Sequence, residues 1–514
     1  MRRKFLGIAM ATVMGLSTVT GCATTTVEEA GEAESTEAPK TEEAKSDDTA
    51  ETTDGAEATE ETADAGEAES TDGSSSDSLT GNGDKTLHVF LYMQEHEKKI
   101  YEDLAKQFVD EHKDEIKELV FEVTTQDEYN QKMIANMTAN DMPDVFYVGP
   151  AAVRSYADNG YILPLDDYVD ADTMKSVWGT TQEIYRYDGT NVGSGSLYAL
   201  PKDLSCFAFA YNKDLFDAAG LDYPDPEKPY TYDEFVEVCE KLTIDKDGDG
   251  EIDQWGVANA DQFGMTPFLY SNGVKFLNDD MTKVNVANNE QLKEALTFYT
   301  DLTKNGLTPS VEQDTALGGY QRWLDGQVAF YACGTWDVAA FMDKATFPYN
   351  WDLCGWPVGP SGDGKSHTWM GSVGYCVSAT SENPDLAAAL ISKFSTDEDG
   401  QRAVSGISTG ESIQLPNITD LAYGEFKDAV NSGKVPYASN VDVIFGYFDG
   451  NDHYEAALQE TDYTYNGEWF TPFWSGVFNI KNGDITVEDF LQQVEPEMQE
   501  ALDEAIELQN SATN

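Results

Sequence analysis

Between Thr86 and Ala151 the spacing of apolar residues alternates between two periods. TLHVFLYM (86–93) repeats every second residue, as a half-buried strand does. The next run carries Ile100, Leu104 and Phe108 at helical spacing and continues, past a break, to Ile116. LVFEVTT (119–125) reads as a second strand, the stretch around Tyr129–Met137 as a helix, and PDVFYV (143–148) as a third strand, with another helix starting near Ala151. Parallel strands joined through helices form a doubly wound sheet, so the predicted class is α/β. Ligands of such sheets bind at the carboxyl ends of the strands. That places Gln94, Glu95 and the residues after Val148 at the rim of a crevice.

The start of the chain reads as an address. Arg2, Arg3 and Lys4 precede about fifteen mostly apolar residues, a run too short for a permanent membrane span. Val19-Thr20-Gly21-Cys22 follows and resembles a lipobox. The resemblance implies that residues 1–21 are a signal peptide and that Cys22 is diacylated, anchoring the protein to the outer face of the cytoplasmic membrane. Each buried CH₂ of an acyl chain contributes ~0.8 kcal/mol, so two or three chains hold firmly. From residue 23 to 86 there are 20 acidic residues against three lysines and almost no large apolar side chain. Such a tract buries too little to fold, and residues 22–85 are predicted to be a lipidated, disordered tether.

The formal charge of the whole chain is −62. That excludes phosphate backbones and anionic headgroups as partners and disfavours anionic ligands. Of the six cysteines, none has metal-ligand spacing. With Cys22 acylated five remain, so at least one thiol is free. Buried thiols within strands are the expectation, with a Cys206–Cys239 disulfide as the alternative.

Two motifs bear on cofactors. Asp245, Asp247, Asp249 and Asp253 occupy positions 1, 3, 5 and 9 of a calcium loop, with Gly250 at position 6 and Glu251 offering its carbonyl at position 7. Gly256 stands where an EF-hand has its bidentate Glu, so the expectation is a structural Ca²⁺ outside a full helix–loop–helix; the bland alternative is an acidic surface turn. Gly359–Ser366 formally matches G-x-x-x-x-G-K-S, but strand-like residues follow it instead of a helix, and Pro360 removes a backbone donor. It is read as a surface loop. There is no G-x-S-x-G or H-E-x-x-H, and the five histidines are scattered, so no enzyme is expected.

The aromatic residues carry the positive signal. Trp336, Trp369, Trp469 and Trp474 stand beside Gly, Thr, Ser or Pro instead of in apolar runs, which suits flat platforms for the C–H face of a pyranose. Around Trp336 the order is a strand QVAFYA (327–332), Gly334-Thr335-Trp336, a strand LCGWPV (353–358), a Gly/Pro/Ser/Asp loop and a strand GYCVSA (374–379). An Asn383-Pro384 helix start then precedes an apolar face at Leu386, Ala389, Leu390 and Phe394. Upstream, YALPKDLSCFAFAYNKDLF (198–216) precedes a helix over 230–242 capped at Thr231 with Glu234. Over about residues 86–514 this set resembles the carbohydrate-type solute-binding proteins of ABC importers.

That resemblance implies a monomeric, two-lobed periplasmic-binding-protein-like fold, each lobe a doubly wound sheet flanked by helices. Lobe one is placed at 86–205 plus 352–396 and lobe two at 206–351 plus 397–514. A sugar or oligosaccharide binds between them, and the closed form docks on ABC permease subunits. By family position Trp336 is the platform. Asp203, Ser205, Gln94, Glu95, Asp144 and the Gly371-Ser372 backbone are polar contacts, and Phe263 is a further aromatic one. Some members carry a loop like that at 245–253. The rival readings are a binding lipoprotein for a polyamine or peptide and a lipid-anchored glycoside hydrolase.

Overall fold

The computed structural model describes residues 75–411 and 414–512. The signal segment, Cys22 and the tether up to residue 74 lie outside the described residues.

Six strands form the first sheet, in the spatial order Ser75–Thr80, Ile116–Thr124, Lys85–Tyr92, Val145–Val148, Gly374–Val377, Leu200–Pro201. Lys85–Tyr92 runs parallel to both of its neighbours, the doubly wound core that the alternation predicted. Both its faces are covered, so Phe90 is buried along with Leu87, Val89 and Leu91. Helix Glu95–Glu111 opens on a capping box between Gln94 and Glu97 and buries Ile100, Leu104 and Phe108. It stops at His112, whose carbonyl accepts from the Glu115 and Ile116 amides. Ile116 therefore begins the next strand and is no part of the helix.

The folded body begins earlier than the composition of residues 22–85 suggests. Ser75–Thr80, inside the stretch read as disordered, is an edge strand paired antiparallel to Ile116–Thr124. An edge strand is held by backbone hydrogen bonds and needs few apolar side chains, so low hydrophobicity does not exclude it.

The second sheet has the order Trp351–Cys354, Phe207–Asn212, Val328–Gly334, Trp255–Val257. Every residue of Phe207–Asn212 is buried. This sheet corrects the expected lobe boundary, because Asp352–Cys354 pair with Phe209–Tyr211 in the second sheet and not in the first. The observed strand is also displaced from LCGWPV. At Gly355 the chain leaves the sheet, and Trp356 inserts its ring into the core with its indole N–H donating to the Phe207 carbonyl at 3.2 Å. Ser366–Trp369 then pairs with Tyr454–Ala457, and the chain rejoins the first sheet only at Gly374. Conversely, part of the stretch after 396 stays with the first lobe. The Asn417 amide donates to the carbonyls of Pro201 (2.8 Å) and Ser395 (3.1 Å), and the Trp178 indole donates to Pro416.

Of the segments that carry the chain from one lobe to the other, 202–206 and 370–373 run side by side; a further passage follows Asn417, since Asn440 donates to Asp352 and Leu353 of the second sheet. Cys206 and Met370 form an antiparallel bridge, the Gly371 amide donates to Ser205 at 3.0 Å, and the Lys202 amide donates to Val373 at 2.9 Å. All five described cysteines are free and buried, which removes the Cys206–Cys239 alternative. Burial raises each of their thiol pKa values.

Candidate functional site

The paired crossovers bring Lys202, Asp203, Ser205, Gly371 and Ser372 together at the junction of the lobes. The Ser372 hydroxyl donates to the Asp203 carboxylate. Burial raises the Asp203 pKa, against Lys202 and Ser372, which lower it. Lys202 is paired with buried Glu97 at 2.7 Å. Burial opposes its charge, yet Glu97 and the surrounding Tyr147, Tyr101 and Asp203 keep its pKa well above that of a free lysine. Ser205 is buried with its hydroxyl 3.1 Å from that of Thr335. Its side chain fixes the turn that presents Trp336.

Gly334 ends a core strand and the turn Thr335–Asp337 follows. Trp336 emerges there 39% exposed, and Phe263 is 40% exposed at the start of helix Gln262–Tyr270. Two buried rings lie behind them. Phe207 stacks on Trp369 at 5.2 Å and meets Trp336 edge-on at 5.6 Å, while Trp369 lies 5.4 Å from Phe263. The Trp369 indole donates to the Phe263 carbonyl at 2.8 Å. Trp336 and Phe263 are thus the rings open to solvent, and Phe207 and Trp369 pack behind them. The neighbouring glycines have a steric cause. A Cβ on Gly334 would fall 2.0 Å from the Trp336 ring, and one on Gly371 1.6 Å from that of Trp369. Beside the platform, burial and nearby Asp261 push Asp337 up to about 6, although the Gly334 amide hydrogen-bonds it.

The other nominated residues lie elsewhere or face other tasks. Gln94 caps its helix at the carboxyl end of Lys85–Tyr92, with Glu95 exposed beside it. Asp144 sits at the opposite, amino end of its strand, where its carboxylate accepts from the His88 amide (2.8 Å) and the Ser381 hydroxyl (2.5 Å). That removes it from the crevice. Trp469 is wholly buried among Phe276 and Phe470, its indole donating to Thr464, and so cannot stack on a solute. Trp474 is half-buried against Phe478 on helix Thr471–Lys481, outside the platform's ring contacts. The sequence reading missed Phe207, whose place in an all-apolar strand marks it only as core.

In the 245–253 loop, carboxylate oxygens of Asp245, Asp247 and Asp253 lie within 4.8 Å of one another, a donor set that fits a hard cation. Asp249 and Glu251 are not part of that cluster. Gly256 belongs to a buried strand, and a Cβ there would meet Cys239 at 2.5 Å, so the twelfth position has no carboxylate to give. After Gly359–Lys365 comes the strand Ser366–Trp369, so no helix faces a phosphate. A cavity of about 650 Å³ lies between helices Tyr232–Leu242 and Glu290–Lys304 and shares no residue with the platform.

Two lobes joined by paired crossovers thus leave a pair of exposed rings, Trp336 and Phe263, beside the junction. The chain belongs to the bacterial extracellular solute-binding proteins, whose family profile matches residues 103–432. It is 23% identical to the maltotriose-binding protein of Pyrococcus abyssi over 51% of this chain and 52% of that one. With the arabinooligosaccharide-binding protein of Halalkalibacterium halodurans the figures are 25%, 56% and 62%. The chain spans about half the length of the first sequence relatives that it matches. Among solved structures, a Listeria monocytogenes ABC substrate-binding protein in complex with cycloalternan superposes with a TM-score of 0.66 at 21% identity, covering 82% of this chain and 99% of that one. The sugar-binding protein MalE of Xanthomonas citri gives 0.63 at 18%, covering 82% and 98%. At such identities the likeness establishes the fold. Among the described residues no helix is long and apolar enough to cross a membrane.

Proposed function

We propose that this protein captures a neutral sugar or oligosaccharide between its lobes and hands it to the permease of an ABC importer, hydrolysing nothing itself. The observation that carries this reading is the pair of exposed rings, Trp336 and Phe263, braced by Phe207 and Trp369 at the junction of the two lobes. An aromatic face buries the C–H side of a pyranose, while Asp203 and Ser372 alongside suit its hydroxyls. Relatives named for maltotriose, arabinooligosaccharide and diacetylchitobiose binding point the same way. In this reading Cys22 is diacylated, the residues after it are a tether to the outer face of the membrane, and the protein acts as a monomer. Asp245, Asp247 and Asp253 hold a structural Ca²⁺.

A thermal-shift screen of the full chain against mono- and oligosaccharides, polyamines and peptides tests it. Binding stabilises by RT ln(1 + [L]/Kd), about 2.7 kcal/mol at a hundredfold excess over Kd. The expected result is a shift with an oligosaccharide that is recovered unchanged after long incubation. Shifts with polyamines or peptides alone overturn the sugar reading; cleavage of the solute overturns the transport reading.

A further inference from the structure

Phe263 stands at the end of a chain of hydrogen bonds that starts on a helix outside the platform's ring contacts. Lys481 closes helix Thr471–Lys481, turns inward and is 7% exposed. Among the described residues no carboxylate forms an ion pair with it. Its Nζ donates instead to Asn259 Oδ1 at 2.9 Å and to the Tyr299 hydroxyl at 3.2 Å, and lies 4.5 Å from the centre of the Tyr299 ring. Tyr299, on helix Glu290–Lys304, passes the hold on, since its hydroxyl donates to the Ala260 carbonyl at 3.1 Å. The Asn259 amide in turn donates to the Pro309 carbonyl at 2.7 Å. Asn259 and Ala260 lead from strand Trp255–Val257 into helix Gln262–Tyr270. Asp261 caps that helix by accepting the Phe263 and Gly264 amides at 3.0 and 2.8 Å. On the far side Gly264 packs so closely on strand Val328–Gly334 that a Cβ there would lie 2.7 Å from that of Ala332. The segment before Phe263 is thus held between a core strand and Lys481. Burial pushes the Lys481 ammonium down to about 8, against the pull of Asp314, so the charge is kept at a cost that an apolar side chain would avoid.

Resting on the sugar-binding reading, we propose that Lys481 is a positioning residue. Through Asn259, Tyr299 and Ala260 it fixes the segment that presents Phe263, and so sets the affinity for solute without touching it. Trp336 is tied elsewhere, through Thr335 to Ser205 and Cys206, so the two exposed rings are positioned independently. A merely structural lysine is told apart by the sign of two effects. Removing the ammonium deletes a buried charge and leaves Asn259 Oδ1 within 3.3 Å of the Thr308 hydroxyl, so stability is held or gained. The same change frees Asn259–Asp261, and the ring beyond them then has to be ordered when solute binds, which weakens binding. A structural residue moves stability and affinity together; this one moves them apart.

Calorimetric titration of the full chain with maltotriose, mannotriose, diacetylchitobiose and cycloalternan first selects a sugar that binds wild type. Lys481→Met keeps the apolar stem of the side chain and removes its donors. Its Tm at pH 7.5 is expected at or above that of wild type, with a Kd for the selected sugar about tenfold higher. Tyr299→Phe removes one oxygen from the relay, is expected to weaken binding by a similar factor, and serves where Lys481→Met fails to fold. In a Phe263→Ala background Lys481→Met should cost less than twofold, whereas in a Trp336→Ala background it should cost about tenfold again. Folded Lys481→Met and Tyr299→Phe variants within twofold of wild type overturn the positioning role, as does a loss as large in Phe263→Ala as in wild type. Phe263→Ala binding the sugar like wild type overturns it too and leaves the sugar reading intact. Wild type binding none of the four overturns the sugar reading and the role of Lys481 with it.

Discussion

Trp336 keeps 39% of its surface in solvent and Trp469 keeps none, although both stand among small and polar residues in the sequence. Truncating them should therefore have opposite signatures. Trp336→Ala should leave the melting temperature within a few degrees of wild type and weaken solute binding at least tenfold, read by calorimetry. Trp469→Ala should cost about 3–5 kcal/mol in denaturant unfolding, the usual range for emptying a core position of that size. Local context could not separate the two, because what buries Trp469 is Phe276, some two hundred residues away in the chain. Asp462 is a second case. Nothing in Thr461-Asp462-Tyr463 marks it, yet its side chain is buried. Burial pushes Asp462 and Glu460 each up to about 7. Both folded values lie above those of an unfolded chain, so the folded form retains protons that the unfolded form has released. The resulting stability is complete below the unfolded pKa values and is lost as pH rises towards 7. Melting temperature should fall between pH 5 and 7.5, and Asp462→Asn should flatten that slope.

Elements held by short-range physics were legible. The capping box of Thr231 and Glu234 begins its helix where the sequence says, and the Asn383-Pro384 start does the same. Strands were legible as strands but not by partner. Trp351–Cys354 has the apolar look of either sheet, and only pairing with Phe209–Asn212 assigns it to the second. The edge strand Ser75–Thr80 was hidden for a related reason, since its pairing is backbone-borne and its side chains resemble the tether's. The 245–253 loop is an element whose motif and geometry agree only in part. Asp245 accepts the Gly248 and Gly250 amides at 2.6 and 2.9 Å, so the turn is shaped by its own backbone. If Ca²⁺ sits among Asp245, Asp247 and Asp253, millimolar calcium should raise the melting temperature over a chelated sample. Asp247→Ala should abolish the difference; no calcium effect in wild type would leave the loop an acidic turn.

At the scale of the molecule, the expectation of two lobes stood on the family resemblance more than on any one segment, and the loosest part of it was where the chain changes lobes. Those passages are short and their course is set by contacts between 202–206 and 370–373, which no local pattern encodes. Because these two passages are laced together, the joint has the mechanics of a book's spine. A hydrogen-bonded ribbon bends readily out of its plane and resists shear within it. The lobes should therefore swing about one axis while the groups along the spine, Asp203 and Ser372 among them, keep their mutual distances. Groups on the outer parts of the lobes travel furthest, while Trp336, whose neighbour Thr335 is hydrogen-bonded to Ser205 and Cys206, stays close to the axis. A solute would then meet a fixed polar edge first and acquire its remaining contacts only as the covers shut.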